Sequence, residues 1–153
     1  MASNSSENSS ENISFVEGWF EYPVHTFPHQ TDYAGIVWHG TYLTWMEEAR
    51  VAGLRWSGIA YCDLVAAGYD LPVVDLQIRY HQPVTLGMDA LVRARLRQTS
   101  GVRLSWEYSI ESGAPRTKCV TAQVTLVPVN RQTGKIIRQI PQDLQAALDQ
   151  FWS

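Results

Sequence analysis

"HQTDYAGIVWHGTYLTWMEEAR", residues 29–50, carries an acid, two histidines and two glycines at the entrance to a run whose apolar residues change period. From Gly40 to Trp56, the residues Tyr42, Trp45, Met46, Ala49, Ala52, Gly53 and Trp56 recur at three and four, which places them on one helical face. Gly58 supplies the stop. Ahead of the helix, Pro28 and the polar run His29, Gln30 and Thr31 break the preceding segment. Gly35 then lets the chain turn back before Ile36, Val37 and Trp38 re-enter the core. The first N–H groups of a helix have no internal acceptor and carry partial positive charge, so the backbone at His39 and Gly40 can receive a developing oxyanion. Asp32 lies on the loop that leads there. An aspartate before a helix is ordinarily a turn or capping residue, but this one stands too far ahead of Gly40 to be a simple cap. An acid beside such a helix end offers what acyl transfer from a thioester requires: one group to attack or to activate water, one to hold the tetrahedral charge.

Working outward, residues 15–27 ("FVEGWFEYPVHTF") are aromatic and β-branched, with Phe20, Tyr22 and Val24 alternating against their neighbours, and read as a strand. Residues 1–13 are serine, asparagine and glutamate with almost no apolar content, and are expected to form a disordered tail ahead of one domain spanning 14–153. "CDLVAAGYD" adds a short helical turn. After it a two-residue period appears four times: Val74 to Tyr80, Met88 to Leu96, Val102 to Ile110 and Val120 to Leu126. Each predicts a half-buried antiparallel strand. The joints at 98–101, 112–115 and 130–134 are short enough for hairpins, and Gln142 to Phe151 reads as a C-terminal helix. A sheet with a single apolar face must wrap it around something, and the one long apolar helix is 40–56. The expected class is therefore α+β, a curved antiparallel sheet clasping one central helix. Long regular edge strands invite pairing, so a homo-oligomer that continues the sheet is expected.

With 153 residues, 45% of them hydrophobic and 18% charged, the chain can bury one core without staples. A formal net charge of -3 and the lack of any lysine or arginine run argue against nucleic acid and against an anionic membrane surface. The two cysteines, Cys62 and Cys119, cannot make a secreted-type disulfide framework, and no apolar run approaches the roughly 20 residues of a membrane span. Together with an N-terminus unlike a signal peptide, this predicts a cytoplasmic protein without stable membrane insertion. His25, His29 and His39 with Asp32 could in principle surround a metal, but neither HExxH nor a compact Cys/His cluster is present, and no metal is expected. There is no GxSxG elbow for a nucleophilic serine.

"TDYAGIVWHGTYLTWMEEAR" resembles the signature of the 4-hydroxybenzoyl-CoA thioesterase class of hotdog-fold enzymes, in detail the YbgC-like acyl-CoA thioesterases. The matching residues are Asp32, Ala34-Gly35-Ile36-Val37-Trp38, His39 and Glu47-Glu48-Ala49-Arg50, and "IRYHQPVTLGMDALV" is similar to the class's strand-Pro-loop-strand stretch around Pro83. The resemblance implies the hotdog fold, a homodimer or homotetramer, no metal, and no cofactor other than the coenzyme A of a small acyl-CoA or carrier-protein thioester that is hydrolysed. It implies Asp32 as the catalytic carboxylate, nucleophile or general base, and His39 as a site histidine whose N–H, with Gly40, polarises the carbonyl. Trp38 becomes a candidate wall of the acyl site, and Arg103 a candidate for the coenzyme A phosphates. Three positions depart from the pattern: Gln30, Pro28 and Met88 stand where an acid, a tyrosine and an acid are usual. The acyl group stays open between an aromatic one such as 1,4-dihydroxy-2-naphthoyl and a short aliphatic one. A 3-hydroxyacyl thioester dehydratase and a non-catalytic thioester-binding module are the alternatives.

Overall fold

The order of elements follows from where each period begins and ends. The computed structural model describes residues 14–98 and 101–151; the expected tail at 1–13 and the centre of the 98–101 joint lie outside the described residues. Strand β1 (Ser14–Val16) leads to β2 (Trp19–His25), then a short 3-10 turn at Pro28–Gln30, helix α1 (His39–Trp56) and helix α2 (Tyr61–Ala66). Strands β3 (Tyr69–Asp70), β4 (Val73–Tyr80), β5 (Asp89–Gln98), β6 (Leu104–Ser112), β7 (Thr117–Leu126) and β8 (Val129–Asn130) precede helix α3 (Gln142–Asp149). Six of the strands form one antiparallel sheet in the order β1-β2-β5-β6-β7-β4; β3 and β8 make a small separate pair.

The sheet curves around α1, as the apolar patterns require. Tyr42, Trp45, Met46, Ala49 and Gly53 of α1 are buried against Ala90, Val92, Ala94 and Leu96 of β5 and Trp106, Tyr108 and Ile110 of β6, all inward-facing in register. Over 18 residues α1 is about 27 Å long, enough to run most of the sheet's height. Its far end is closed by α3 and Phe151. Phe151 lies edge-on to Trp56, Trp106 and Phe20, and a Cβ on Gly53 would come within 3.1 Å of its ring.

Two expectations need correction. The segment expected as one strand over 15–27 is a hairpin, because Glu17 (φ 52°) and Gly18 (φ 83°) adopt left-handed conformations and fold β1 back onto β2. The alternation in β4 does not bury its apolar set: Val74 is 49% exposed, Leu76 40% and Tyr80 50%. The reason is position. β4 is an edge, paired on one side with β7 and on the other with no strand among the described residues. Trp56, expected inside, is 47% exposed although its ring stacks on Phe15 at 5.4 Å.

The outer face of the sheet is a charge ladder. Arg93 pairs with Glu21 (3.0 Å) and Glu111 (3.4 Å), Glu107 takes Arg95 (2.9 Å) and Arg97, and Trp19 lies beneath the guanidinium groups of Arg93 and Arg95. These side chains cover the solvent face of the central strands and explain the alternation of charge with apolar residues there.

Candidate active site

The loop from Thr31 to Trp38 is built by Asp32. Its Oδ1 accepts the N–H groups of Ala34 (2.9 Å) and Ile36 (3.1 Å), its own N–H donates to the Ile36 carbonyl (2.7 Å), and its carbonyl accepts from Gly35 (3.0 Å). This is an Asx-type turn, and it needs the left-handed Gly35 (φ 75°) to close. The turn thus performs the ordinary structural task of such an aspartate. Only one carboxylate oxygen is used: Oδ2 has no hydrogen-bond partner among the described residues, and the side chain is exposed.

From the turn, the chain is clamped to α1 at two points. Trp38 N–H and the Thr41 hydroxyl both donate to the Gln30 carbonyl (3.0 Å each), so this single backbone oxygen anchors the first turn of the helix. The Gln30 side chain accepts from Phe27 N–H at 2.9 Å. The departure at Gln30 is therefore a loop-stapling residue here, a task no periodicity advertises. On the other flank Val37 N–H donates to the Val84 carbonyl (2.9 Å), and Val84 N–H donates to the Tyr42 hydroxyl (3.2 Å), which holds the Pro83 loop against the helix. Burial pushes the Tyr42 phenol above its ordinary range, so it stays protonated in that role.

Helix α1 opens at His39 with no side-chain cap. Thr41 N–H turns back to the Trp38 carbonyl (2.9 Å), while the N–H groups of His39 and Gly40 have no acceptor among the described residues. Gly40 is required sterically: a Cβ there would overlap the six-membered ring of Trp38, which lies across it and beside His39 with ring centres 4.6 Å apart. Two open amides, a half-exposed indole and a histidine thus gather at the helix mouth.

Beside that mouth is a groove of about 280 Å³. Ile36, Val37, Tyr42, Tyr80 and Pro83 give it apolar walls. His39, His81 and Gln82 complete its lining. His81 was not singled out from the sequence. It follows β4 directly, its N–H bound to the Cys119 carbonyl (2.8 Å) and its Nε2 lying 2.8 Å from Thr121 Oγ1.

Of the expected site residues, Asp32, Trp38, His39 and Gly40 are thus brought together by the loop and the helix start. Arg103 is not. It precedes β6 next to the Gln98 end of β5, whereas the site lies at the Asp89 end, roughly 30 Å away across a ten-residue strand. Within one chain it cannot reach the groove. Met88, one of the departures, has its sulfur against the Thr85 hydroxyl (2.9 Å); the neighbouring Asp89 pairs with His25 at 2.5 Å. Among the described residues no set of three or more His, Cys, Asp or Glu could hold a metal, and no helix is long and apolar enough to cross a membrane.

A sheet wrapped on one helix, with an acid turn and open amides at its mouth, is the frame of a hotdog thioester hydrolase. The chain matches the thioesterase superfamily over residues 34–119, more than half its length, and belongs to it. The Synechocystis protein sll0410, which carries a provisional esterase name, is 47% identical over 136 residues, covering 87% of this chain and 80% of that one. The acyl-CoA thioester hydrolase YbgC of Escherichia coli is 26% identical over 131 residues, 86% of this chain and 96% of that one. Among solved structures, the 1,4-dihydroxy-2-naphthoyl-CoA thioesterase Slr0204 from Synechocystis superposes with a TM-score of 0.79 at 25% identity, covering 86% of this chain and 96% of that one. The chain is thus a thioester hydrolase of that superfamily.

Proposed function

We propose that this protein hydrolyses a small acyl-CoA thioester at the mouth of α1, with Asp32 as the working carboxylate. The observation that carries the reading is that the Asp32 turn and the open N–H groups of His39 and Gly40 belong to one hydrogen-bonded unit, clamped through Gln30 and Ile36. The thioester carbonyl docks at those amides, which bind the oxyanion more strongly than the ground-state oxygen. Asp32 Oδ2 then attacks the carbonyl carbon or takes a proton from the attacking water. As the tetrahedral centre collapses, the C–S bond breaks and coenzyme A leaves as a thiolate, a good leaving group that takes up a proton from solvent. Where Asp32 is the nucleophile, water then cleaves the mixed anhydride it has formed; by either route the free acid is released and Asp32 gives up its proton to return to the carboxylate. No metal enters this scheme, and the only coenzyme is the one in the substrate. Trp38 and the His39 ring flank the carbonyl.

The working unit in this proposal is a homodimer, alone or within a homotetramer, formed by antiparallel pairing of β4 with β4 of a second copy. The exposed Val74, Leu76 and Tyr80 on an unpaired edge support it. Such a pairing brings the far end of one sheet alongside the helix mouth of the other. Arg103 would then meet coenzyme A phosphates bound to the partner. A cytoplasmic location, where coenzyme A esters are made, fits the same reading.

The test is a panel of aromatic and short aliphatic acyl-CoAs incubated with the protein and a thiol-detecting reagent. Release of free coenzyme A from at least one class is expected. Binding without release across the whole panel would mean that the fold has become a thioester-binding module.

A further inference from the structure

We infer that β4 pairs with β4 of a second copy in a single register, centred on Gln77, in which Asp75 of each copy faces Arg79 of the other. This rests on the edge-to-edge dimer proposed above and fixes its alignment. His81 N–H donates to the Cys119 carbonyl of β7 at 2.8 Å. In an antiparallel ladder the backbone groups of successive residues point to alternate sides, so those of Gln77 and Arg79 also face β7, toward Gln123 and Thr121. The N–H and C=O groups of Leu76, Ile78 and Tyr80 are left to the open edge. Two copies related by a two-fold axis pair antiparallel, and only alignments that set even-numbered residues against even-numbered ones join these groups.

The side chains choose among those alignments. Asp75 and Arg79 are exposed, share the outer face of the sheet with Gln77, and have no side-chain hydrogen bond or ion pair among the described residues. Centred on Asp75 or on Arg79, the pair would set like charges directly opposite each other, which destabilises a sheet. A centre at Leu76 or Ile78 would set Arg79 against Val73 or Gln77, with no acid opposite. With Gln77 at the centre, two Asp75–Arg79 pairs form across the two-fold axis at non-hydrogen-bonded positions, where opposing side chains stand closest. The same alignment sets Leu76 against the partner's Ile78 and brings the start of the partner's β4, at Val74, beside Tyr80. Since half-exposed Tyr80 walls the groove at the helix mouth, the partner's Val74 adds an apolar wall to that groove.

Charge reversal tests the register. Sedimentation at low ionic strength compares the full wild-type chain with Arg79→Asp, which sets acid against acid, and Asp75→Arg, which sets base against base. Each single variant is expected to raise the dimer dissociation constant roughly tenfold or more, because two cross-strand pairs per dimer turn repulsive. The double variant Asp75→Arg/Arg79→Asp restores association. An equimolar mixture of the two single variants forms a heterodimer, which also shows that both are folded. Oxidative cross-linking in a Cys62→Ser background gives an independent measure. Gln77→Cys links to its own copy, since opposed Cα atoms there are about 4.5 Å apart and a disulfide spans roughly 4.4–6.8 Å. Arg79→Cys, roughly 13 Å from its own copy, does not. Single variants that dimerise as tightly as the wild type, a mixture that stays monomeric, or Arg79→Cys linking in preference to Gln77→Cys overturns the register. The two readings separate: a wild type that is monomeric, or Leu76→Asp that stays dimeric, overturns the edge dimer itself, whereas a monomeric Leu76→Asp beside unaffected charge variants removes this alignment alone.

Discussion

Thr26, the residue after β2, is 1% exposed, and its Oγ1 has no hydrogen-bond partner among the described residues. Burying an unsatisfied hydroxyl costs on the order of 1–3 kcal/mol, so Thr26→Val, which keeps the shape and removes the oxygen, should raise stability by about 1 kcal/mol in a denaturant titration. A clear loss would show that the hydroxyl has a partner. Tyr108 makes the opposite kind of buried polar contact: its hydroxyl accepts from Arg50 Nη1 at 3.1 Å. Burial pushes its phenol up to about 12, against an opposing pull from Arg50 and a smaller upward push from Glu47. The unfolded phenol loses its proton near pH 10, so as the pH rises from 10 toward 12 the balance shifts progressively toward the unfolded state. The stability that Tyr108 contributes is full below pH 10 and is lost as the pH rises through 12, about 2–3 kcal/mol in all. Tyr108→Phe should flatten the alkaline limb of stability against pH by that amount. Parallel curves for the two proteins would exclude the assignment.

Among the elements, α1 and strands β5 to β7 were legible because each buries a complete face, and a buried face writes its own period into the sequence. The β1–β2 hairpin was not. Its turn depends on a left-handed Glu17, a conformation that only tertiary context supports in a non-glycine residue. For β4 the period was read correctly and its meaning missed, since alternation reports two faces and not what covers them. The docking of the last turn onto α1 was likewise invisible, because it depends on Gly53 admitting the Phe151 ring. Phe151→Ala should therefore cost about 3–5 kcal/mol, typical of removing a buried phenylalanine. Calorimetry would read it as a lower Tm. A change under 1 kcal/mol would mean that the aromatic cluster at this end does not hold the fold together.

On the scale of the whole molecule, the exposed β4 edge is the surface at which the proposed dimer would form. If a second copy pairs there, Leu76→Asp should turn a dimer into a monomer in sedimentation experiments and lower turnover with it; a variant that stays dimeric would show that β4 is not the contact. The candidate site was legible where it is local. Asp32, Trp38, His39 and Gly40 lie within nine residues, and a motif can carry them. Arg103 does not join them within one chain, because the joint between β5 and β6 sits at the far end of the sheet, a distance that no local motif shows. What joins these parts is the Asp32 turn at the helix mouth, and one substitution addresses it directly. Asp32→Asn keeps an Oδ1 to accept from Ala34 and Ile36, so the loop should survive, while Oδ2 is replaced by an amide that can neither attack nor take a proton. With the best acyl-CoA of the panel, kcat is predicted to fall about a hundredfold or more at unchanged Tm. A folded variant that still releases coenzyme A at the wild-type rate would contradict the account.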